Sequence, residues 1–169
     1  MYYDLVIVGG GMVGAGLAVA LRSTDLRIAL IDARIPTGQD ERLFALNHGS
    51  CHFLANLGLW PHLVQHAAPI HQVHVSRQKH FGAVRLKREE VNLRELGNVI
   101  PARYIEAQLH EQLLTLPNVT LFRPAKLKRL EQDEAQVYLQ LETERGMCEV
   151  QAGLVIGADG TDSTVRAEL

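Results

Sequence analysis

Residues Met1 to Gly14 constrain the fold more than any other part of the chain. Tyr2 to Val8 (YYDLVIV) is a nearly unbroken apolar run of strand length, and Gly9-Gly10-Gly11-Met12-Val13-Gly14 follows without a spacer. A strand buried on both faces of a parallel sheet requires such a run. The glycines form a G-x-G-x-x-G turn that opens onto a helical pattern from Met12 to Leu21. A second apolar run, Arg27 to Ile31, ends in Asp32, roughly 20 residues beyond the turn. Strand, glycine turn, helix, strand and acid in this order is the dinucleotide-binding fingerprint.

Each position has a physical task. Gly9 permits a tight turn at the strand end, Gly11 lets the backbone approach a pyrophosphate, and Gly14 lets the helix pack closely on the strand. The N–H groups of the first helical turn, at Met12 and Val13, then face phosphate oxygens, and the helix dipole favours that charge. Asp32 is placed to accept hydrogen bonds from the adenosine ribose. Its charge repels a 2′-phosphate, so the turn suits FAD or NAD better than NADP.

A length of 169 residues is enough for a domain with a real core. A formal charge of -2 shows no bias toward nucleic acid or an anionic membrane surface. Cys51 and Cys148 make no disulfide framework, which fits a reducing compartment. No apolar stretch reaches the length of a bilayer span, and the apolar residues of Met1 to Gly14 belong to the nucleotide fold rather than to a signal peptide. His48, Cys51 and His52, and the pair His62 and His66, have helical spacing. They lack the closed tetrahedral set that zinc needs, so no metal site is predicted.

Beyond Asp32 the sequence predicts a polar loop (Ala33 to Glu41), then a helix from near Asp40 through Arg42-Leu43-Phe44-Ala45-Leu46 to Leu57, capped by Gly58. Phe53 and Trp60 are expected in the core. A hairpin follows, Gln72 to Arg77 and Phe81 to Lys87, and then a helix opened by Pro101 with a stripe at Tyr104, Ile105, Leu109, Leu113 and Leu116. Val119 to Phe122 reads as a strand. Leu127 to Leu130, Ala135 to Leu141 and Cys148 to Gln151 read as antiparallel strands, and Gly153 to Ile156 as a short apolar strand before Gly157-Ala158-Asp159-Gly160. The fold class is therefore α/β, a Rossmann-like FAD/NAD(P)-binding domain with a strand-rich insertion. Residues 1–70 and 99–169 are assigned to the nucleotide domain and 71–98 to a partial substrate-layer hairpin.

Three segments together resemble the aromatic-ring flavin monooxygenases, the p-hydroxybenzoate hydroxylase superfamily. They are Val8 to Ala15, then Asp40 to Leu46 with Leu57-Gly58-Leu59-Trp60, and Gly157-Ala158-Asp159-Gly160-Thr161-Asp162-Ser163-Thr164-Val165-Arg166. The stretch from His74-Val75-Ser76 to Pro124-Ala125 is most similar to the ubiquinone-biosynthesis branch. The resemblance implies FAD as cofactor, NAD(P)H as reductant and O2 as co-substrate in the hydroxylation of a hydrophobic polyprenylphenol. It also implies roles for residues. Gly9, Gly11, Met12, Val13 and Gly14 cradle the pyrophosphate, and Asp32 holds the ribose. Arg42 reaches the pyrophosphate or ribityl chain, Leu127 offers a main-chain group to adenine, and Asp159 and Gly160 approach the flavin side. It names no catalytic side chain, and it implies other ubiquinone-biosynthesis proteins as partners and a cytoplasmic location peripheral to the inner membrane.

Two departures from the resemblance matter. Ala102 stands where many relatives carry a polar or acidic side chain, and Arg103 beside it is a weak substitute. The chain also stops just after the D-G motif, where relatives continue for more than its own length. The expectation is a chain that holds FAD weakly or not at all, does not hydroxylate alone, and self-associates through exposed edges. The competing readings are a flavin reductase or dehydrogenase without oxygen chemistry, and a non-catalytic nucleotide-binding fragment.

Overall fold

The computed structural model describes all residues, Met1–Leu169. In chain order, β1 (Tyr2–Val8), α1 (Met12–Ala20) and β2 (Ile28–Ile31) precede β3 (Leu43–Asn47), α2 (His48–Asn56), α3 (Trp60–Leu63) and β4 (Ala68–Ile70). The pair β5 (Gln72–Ser76) and β6 (Ala83–Lys87) leads to β7 (Gly97–Pro101) and α4 (Ala102–Thr115). β8 (Val119–Phe122), β9 (Ala125–Gln132), β10 (Val137–Thr143), β11 (Gly146–Gly157) and α5 (Thr164–Glu168) complete the chain. The residues divide into two compact units, Met1–Thr37 with Glu106–Leu169, and Gly38–Ile105. The hairpin expected within 71–98 falls inside the second unit.

The first unit is built on a six-stranded sheet in the order β8-β2-β1-β11-β10-β9. β8, β2, β1 and β11 run parallel, and β10 is antiparallel to both β11 and β9. β1 lies between two parallel partners, which is why its sequence reads as continuous apolar residues: Val6, Ile7, Ile28, Ala29 and Leu30 are fully buried. β9 and β10 instead alternate buried and exposed positions, as strands with one wet face do. Leu130, Leu139, Leu141 and Val150 join Val6, Val8 and Ile31 in one core cluster. Tyr3 closes it edge-on against Phe122, with ring centroids 6.1 Å apart.

The two strands expected near Cys148 to Gln151 and Gly153 to Ile156 are one. β11 runs twelve residues, pairing with β10 through Gly146–Ala152 and with β1 through Gln151–Gly157. It thus joins the antiparallel meander to the parallel sheet. This is a mixed α/β architecture with the Rossmann-like βαβ start that the sequence predicts.

In the second unit, β3, β7 and β4 form an antiparallel sheet, and β5 and β6 form a separate hairpin. The helix expected from Asp40 is corrected here. Leu43–Asn47 is a strand in register with β7 from Leu43 opposite Pro101 to Asn47 opposite Gly97, and the helix starts at His48. Asn47 sets the boundary: its side-chain oxygen accepts the Ser50 N–H at 2.8 Å, a standard N-cap. Gly97 permits the pairing, since a Cβ there would lie 2.0 Å from the Leu46 carbonyl oxygen. Gly58, with φ +83°, ends the helical run as expected. Cys51, Leu54 and Leu57 form the buried stripe of this segment. Phe53 falls beside that stripe and is 44% exposed, contrary to the expectation of a core residue. The β5–β6 hairpin pairs Val73 with Leu86 and Val75 with Val84, and all four side chains are exposed.

Candidate functional site

The carboxyl ends of β2, β1 and β11 lie side by side in the first unit, and the predicted motifs sit on them. The Gly9 N–H donates to the Ile31 carbonyl at 2.8 Å, and the Ala158 N–H donates to the Val8 carbonyl at 2.7 Å. Gly9 has φ +106°, and a Cβ on it would lie 2.3 Å from the Ala158 carbonyl oxygen. Only glycine therefore lets the turn after β1 and the turn after β11 pass each other. Gly14 is equally constrained: its Cβ would fall 1.9 Å from the Gly9 carbonyl oxygen and 3.1 Å from Ile7 Cγ2.

Gly11 differs. It is the N-cap of α1, with φ -70° and ψ -173°, and no side chain caps the helix. A Cβ on Gly11 would meet nothing within 4 Å. The turn thus leaves open space directly over an uncapped helix start, where the Met12 and Val13 backbone presents its amides. The Val13 side chain is 77% exposed.

Asp32 follows β2. Its N–H donates to the Phe122 carbonyl at 3.0 Å, and its own carbonyl accepts the Ala125 N–H at 2.8 Å. Oδ1 accepts the Arg34 N–H at 3.1 Å, and Oδ2 is ion-paired with Arg123 Nη2 at 3.1 Å. Arg123 was not legible as a site residue. Its side chain is only 6% exposed, against 12% for Asp32. Nη2 also donates to the Gly10 carbonyl at 3.2 Å, Nη1 lies 3.1 Å from His110 Nδ1, and Nε is buried without a partner.

Asp159 turns its Oδ2 toward α5, accepting the Thr164 N–H at 2.6 Å and the Val165 N–H at 3.3 Å. Burial pushes this carboxyl up, but hydrogen bonds from the Ser163 side chain and from the Val165, Asp159 and Thr164 backbone outweigh it. The net effect holds Asp159 below the usual carboxylate range. Oδ1 is buried and unpartnered. Gly160, with φ +85°, completes the turn. Leu127, on β9, sends its side chain into the core cluster. Arg42 belongs to the second unit, where Nε lies 2.9 Å from both Asp40 carboxylate oxygens and the guanidinium sits 5.7 Å from the Phe44 ring. Arg103, also there, stacks over Tyr104 at 4.5 Å and pairs with Glu41.

The first unit therefore brings Gly9, Gly11, Met12, Val13, Gly14, Asp32, Asp159 and Gly160 to the ends of three adjacent strands. Open space above Gly11, uncapped amides, an acid at the neighbouring strand end and an orphaned Asp159 oxygen fit a dinucleotide lying across these ends. Comparison with known proteins decides the family. The profile of the family described as FAD binding domain matches residues 2–169.

The chain belongs to the FAD-binding domain family. This FAD-binding domain is 31% identical over 168 residues to ubiquinone hydroxylase UbiL of Rhodospirillum rubrum, covering 96% of the chain and 38% of that protein. It is 29% identical over 169 residues to 3-demethoxyubiquinol 3-hydroxylase of Escherichia coli, covering 96% and 42%. Among solved structures, OxyS anhydrotetracycline hydroxylase of Streptomyces rimosus superposes with a TM-score of 0.85 at 25% identity, over 99% of the chain and 33% of OxyS. The p-nitrophenol 4-monooxygenase PnpA of Pseudomonas putida, at 21% identity and a TM-score of 0.81, shares the fold over 98% of the chain and 42% of PnpA. The chain thus spans about 40% of the length of these curated relatives. No helix is long and apolar enough to cross a membrane.

Proposed function

We propose that this chain is the FAD-binding part of an NAD(P)H-dependent flavin monooxygenase that hydroxylates a polyprenylated phenol in ubiquinone biosynthesis. One observation carries the reading: the glycine turn with its open space at Gly11, Asp32, and the Asp159–Gly160 turn occupy three neighbouring strand ends. The names of the curated relatives supply the substrate class. Bound FAD would supply the redox chemistry that couples NAD(P)H oxidation to O2 activation for hydroxylation. The chain's own residues bind and orient it. Met12 and Val13 offer amides to the diphosphate, Gly11 admits it, and Asp32 accepts from the ribose hydroxyls. Asp159 holds the last turn against α5, and its second oxygen is buried without a hydrogen-bond partner. The Leu127 main chain completes the cofactor contacts of this unit.

This chain, which spans about 40% of its relatives' length, holds FAD weakly or not at all and does not hydroxylate by itself. The whole protein works at the inner-membrane surface beside other ubiquinone-biosynthesis proteins. The isolated chain self-associates through exposed sheet edges. The test is flavin absorbance, NAD(P)H oxidation and product analysis on the whole protein that contains this chain, with a polyprenylphenol supplied. Bound FAD and a hydroxylated ring are expected. NAD(P)H oxidation that never yields a hydroxylated product refutes the assignment, and product from the 169-residue chain alone refutes its inactivity.

A further inference from the structure

Arg123 sits at the meeting point of three elements of the cofactor site. One nitrogen, Nη2, reaches both the Asp32 carboxylate and the carbonyl of Gly10 inside the glycine turn, and Nη1 reaches His110 on α4. A Cβ on Gly10 would lie 2.2 Å from this Nη2 and 2.6 Å from Asp32 Oδ2. The middle residue of the turn is thus glycine because the guanidinium and the carboxylate fill the space beside it. A planar guanidinium donates in several fixed directions at once, which a lysine ammonium does not reproduce. With Oδ2 engaged by Arg123 and Oδ1 bonded only to the Arg34 amide, the carboxylate has one fixed orientation and spare acceptor capacity on Oδ1.

We propose that Arg123 is a positioning residue for nucleotide recognition, locking the Asp32 carboxylate against the glycine turn so that it meets the adenosine ribose hydroxyls without reorienting. The proposal rests on the reading of this turn as a nucleotide site. Preorganisation of this kind raises affinity by reducing what must be ordered on binding. The Arg123 side chain is buried, so its influence on the ribose passes through the Asp32 carboxylate.

The test compares ADP with 2′,3′-dideoxy-ADP, titrated into the full chain and followed by amide chemical shifts, which register weak binding. The wild-type chain is expected to prefer ADP by about tenfold or more, the worth of a hydrogen bond to a charged group. In Arg123→Met that preference falls to about threefold or less, while the affinity for the dideoxy ligand changes little. Arg123→Lys keeps the buried charge and gives an intermediate preference; it decides the matter if Arg123→Met does not fold. Equal weakening of both ligands, or an undiminished preference in the folded variants, overturns the proposal by leaving Arg123 a merely structural residue. Failure of the wild-type chain to bind either nucleotide removes the site itself, and the proposal with it.

Discussion

Gly14 and Gly11 belong to the same turn, yet the structure separates their roles, and one pair of substitutions tests that separation. In Gly14→Ala the new methyl would lie 1.9 Å from the Gly9 carbonyl oxygen, well inside contact distance, and 3.1 Å from Ile7 Cγ2. Neither neighbour is a flexible side-chain end, since one is turn backbone and the other belongs to a fully buried residue of β1. Helix α1 must therefore lift from the sheet. Overpacking of a well-filled core costs roughly 1–3 kcal/mol, and a backbone obstacle places this case at about 3. That is a large share of the roughly 5–15 kcal/mol that separates folded from unfolded states. In a domain of this size it corresponds to a melting point lower by roughly 6–12 °C. In Gly11→Ala the methyl meets nothing within 4 Å, so stability falls by no more than about 1 kcal/mol, the cost of a poorer N-cap. Its methyl does stand in the approach to the helix amides, so ADP affinity falls by about tenfold or more. Thermal denaturation by circular dichroism and the ADP titration read the two effects separately. A Gly14→Ala chain that melts with the parent refutes the close helix–strand packing, and unchanged ADP affinity in Gly11→Ala refutes the assignment of that open space to a diphosphate.

Asp32→Ala leaves the Arg123 guanidinium buried without its carboxylate, so urea unfolding should show a loss of about 3–5 kcal/mol along with the loss of nucleotide binding. Asp159 has a folded-state pKa below its unfolded value. It therefore contributes stability that is present above the ordinary carboxylate range, about 3.9, and is lost as pH falls through the lower folded-state value. Asp159→Asn should lower the urea midpoint at neutral pH and flatten its decline in strong acid; an unaltered acid limb would exclude this coupling. Asn47→Ala removes the acceptor for the Ser50 N–H at the start of α2, and a loss of about 1 kcal/mol is expected by chemical denaturation.

The βαβ start was legible because every layer of its sequence agrees. A doubly buried strand shows continuous apolar residues, the glycines stand where the backbone crowds itself, and Asp32 ends the neighbouring strand. The stretch from Arg42 to Leu46 was not, because its apolar residues satisfy a helical window as well as a strand. What decides for the strand is pairing with Gly97–Pro101 across a long sequence separation, which no local window contains. The union of two short strand signals into β11 has the same origin, since its first half answers to β10 and its second half to β1. Arg123 and Gly10 were invisible for a related reason. An arginine before a proline carries no periodic signal, its partner Asp32 is distant in sequence, and His110 lies on a separate element, α4. The middle position of the glycine motif carries meaning only once that guanidinium is seen beside it.

The pairing of β1 with the last part of β11 also has a consequence for how this molecule is made. Tyr2 stands opposite Gln151 and Val8 opposite Gly157, so β1 gains this neighbour only after everything between them in the sequence has been synthesised. At roughly 5–20 residues per second that interval is on the order of ten seconds, far longer than local helix or hairpin formation. During it, one edge of an apolar nascent strand stands unpaired and open to the wrong partner. This topology thus leaves β1 open to mispairing while the intervening residues are made, and the glycine turn at its end is among the last parts to reach its final surroundings.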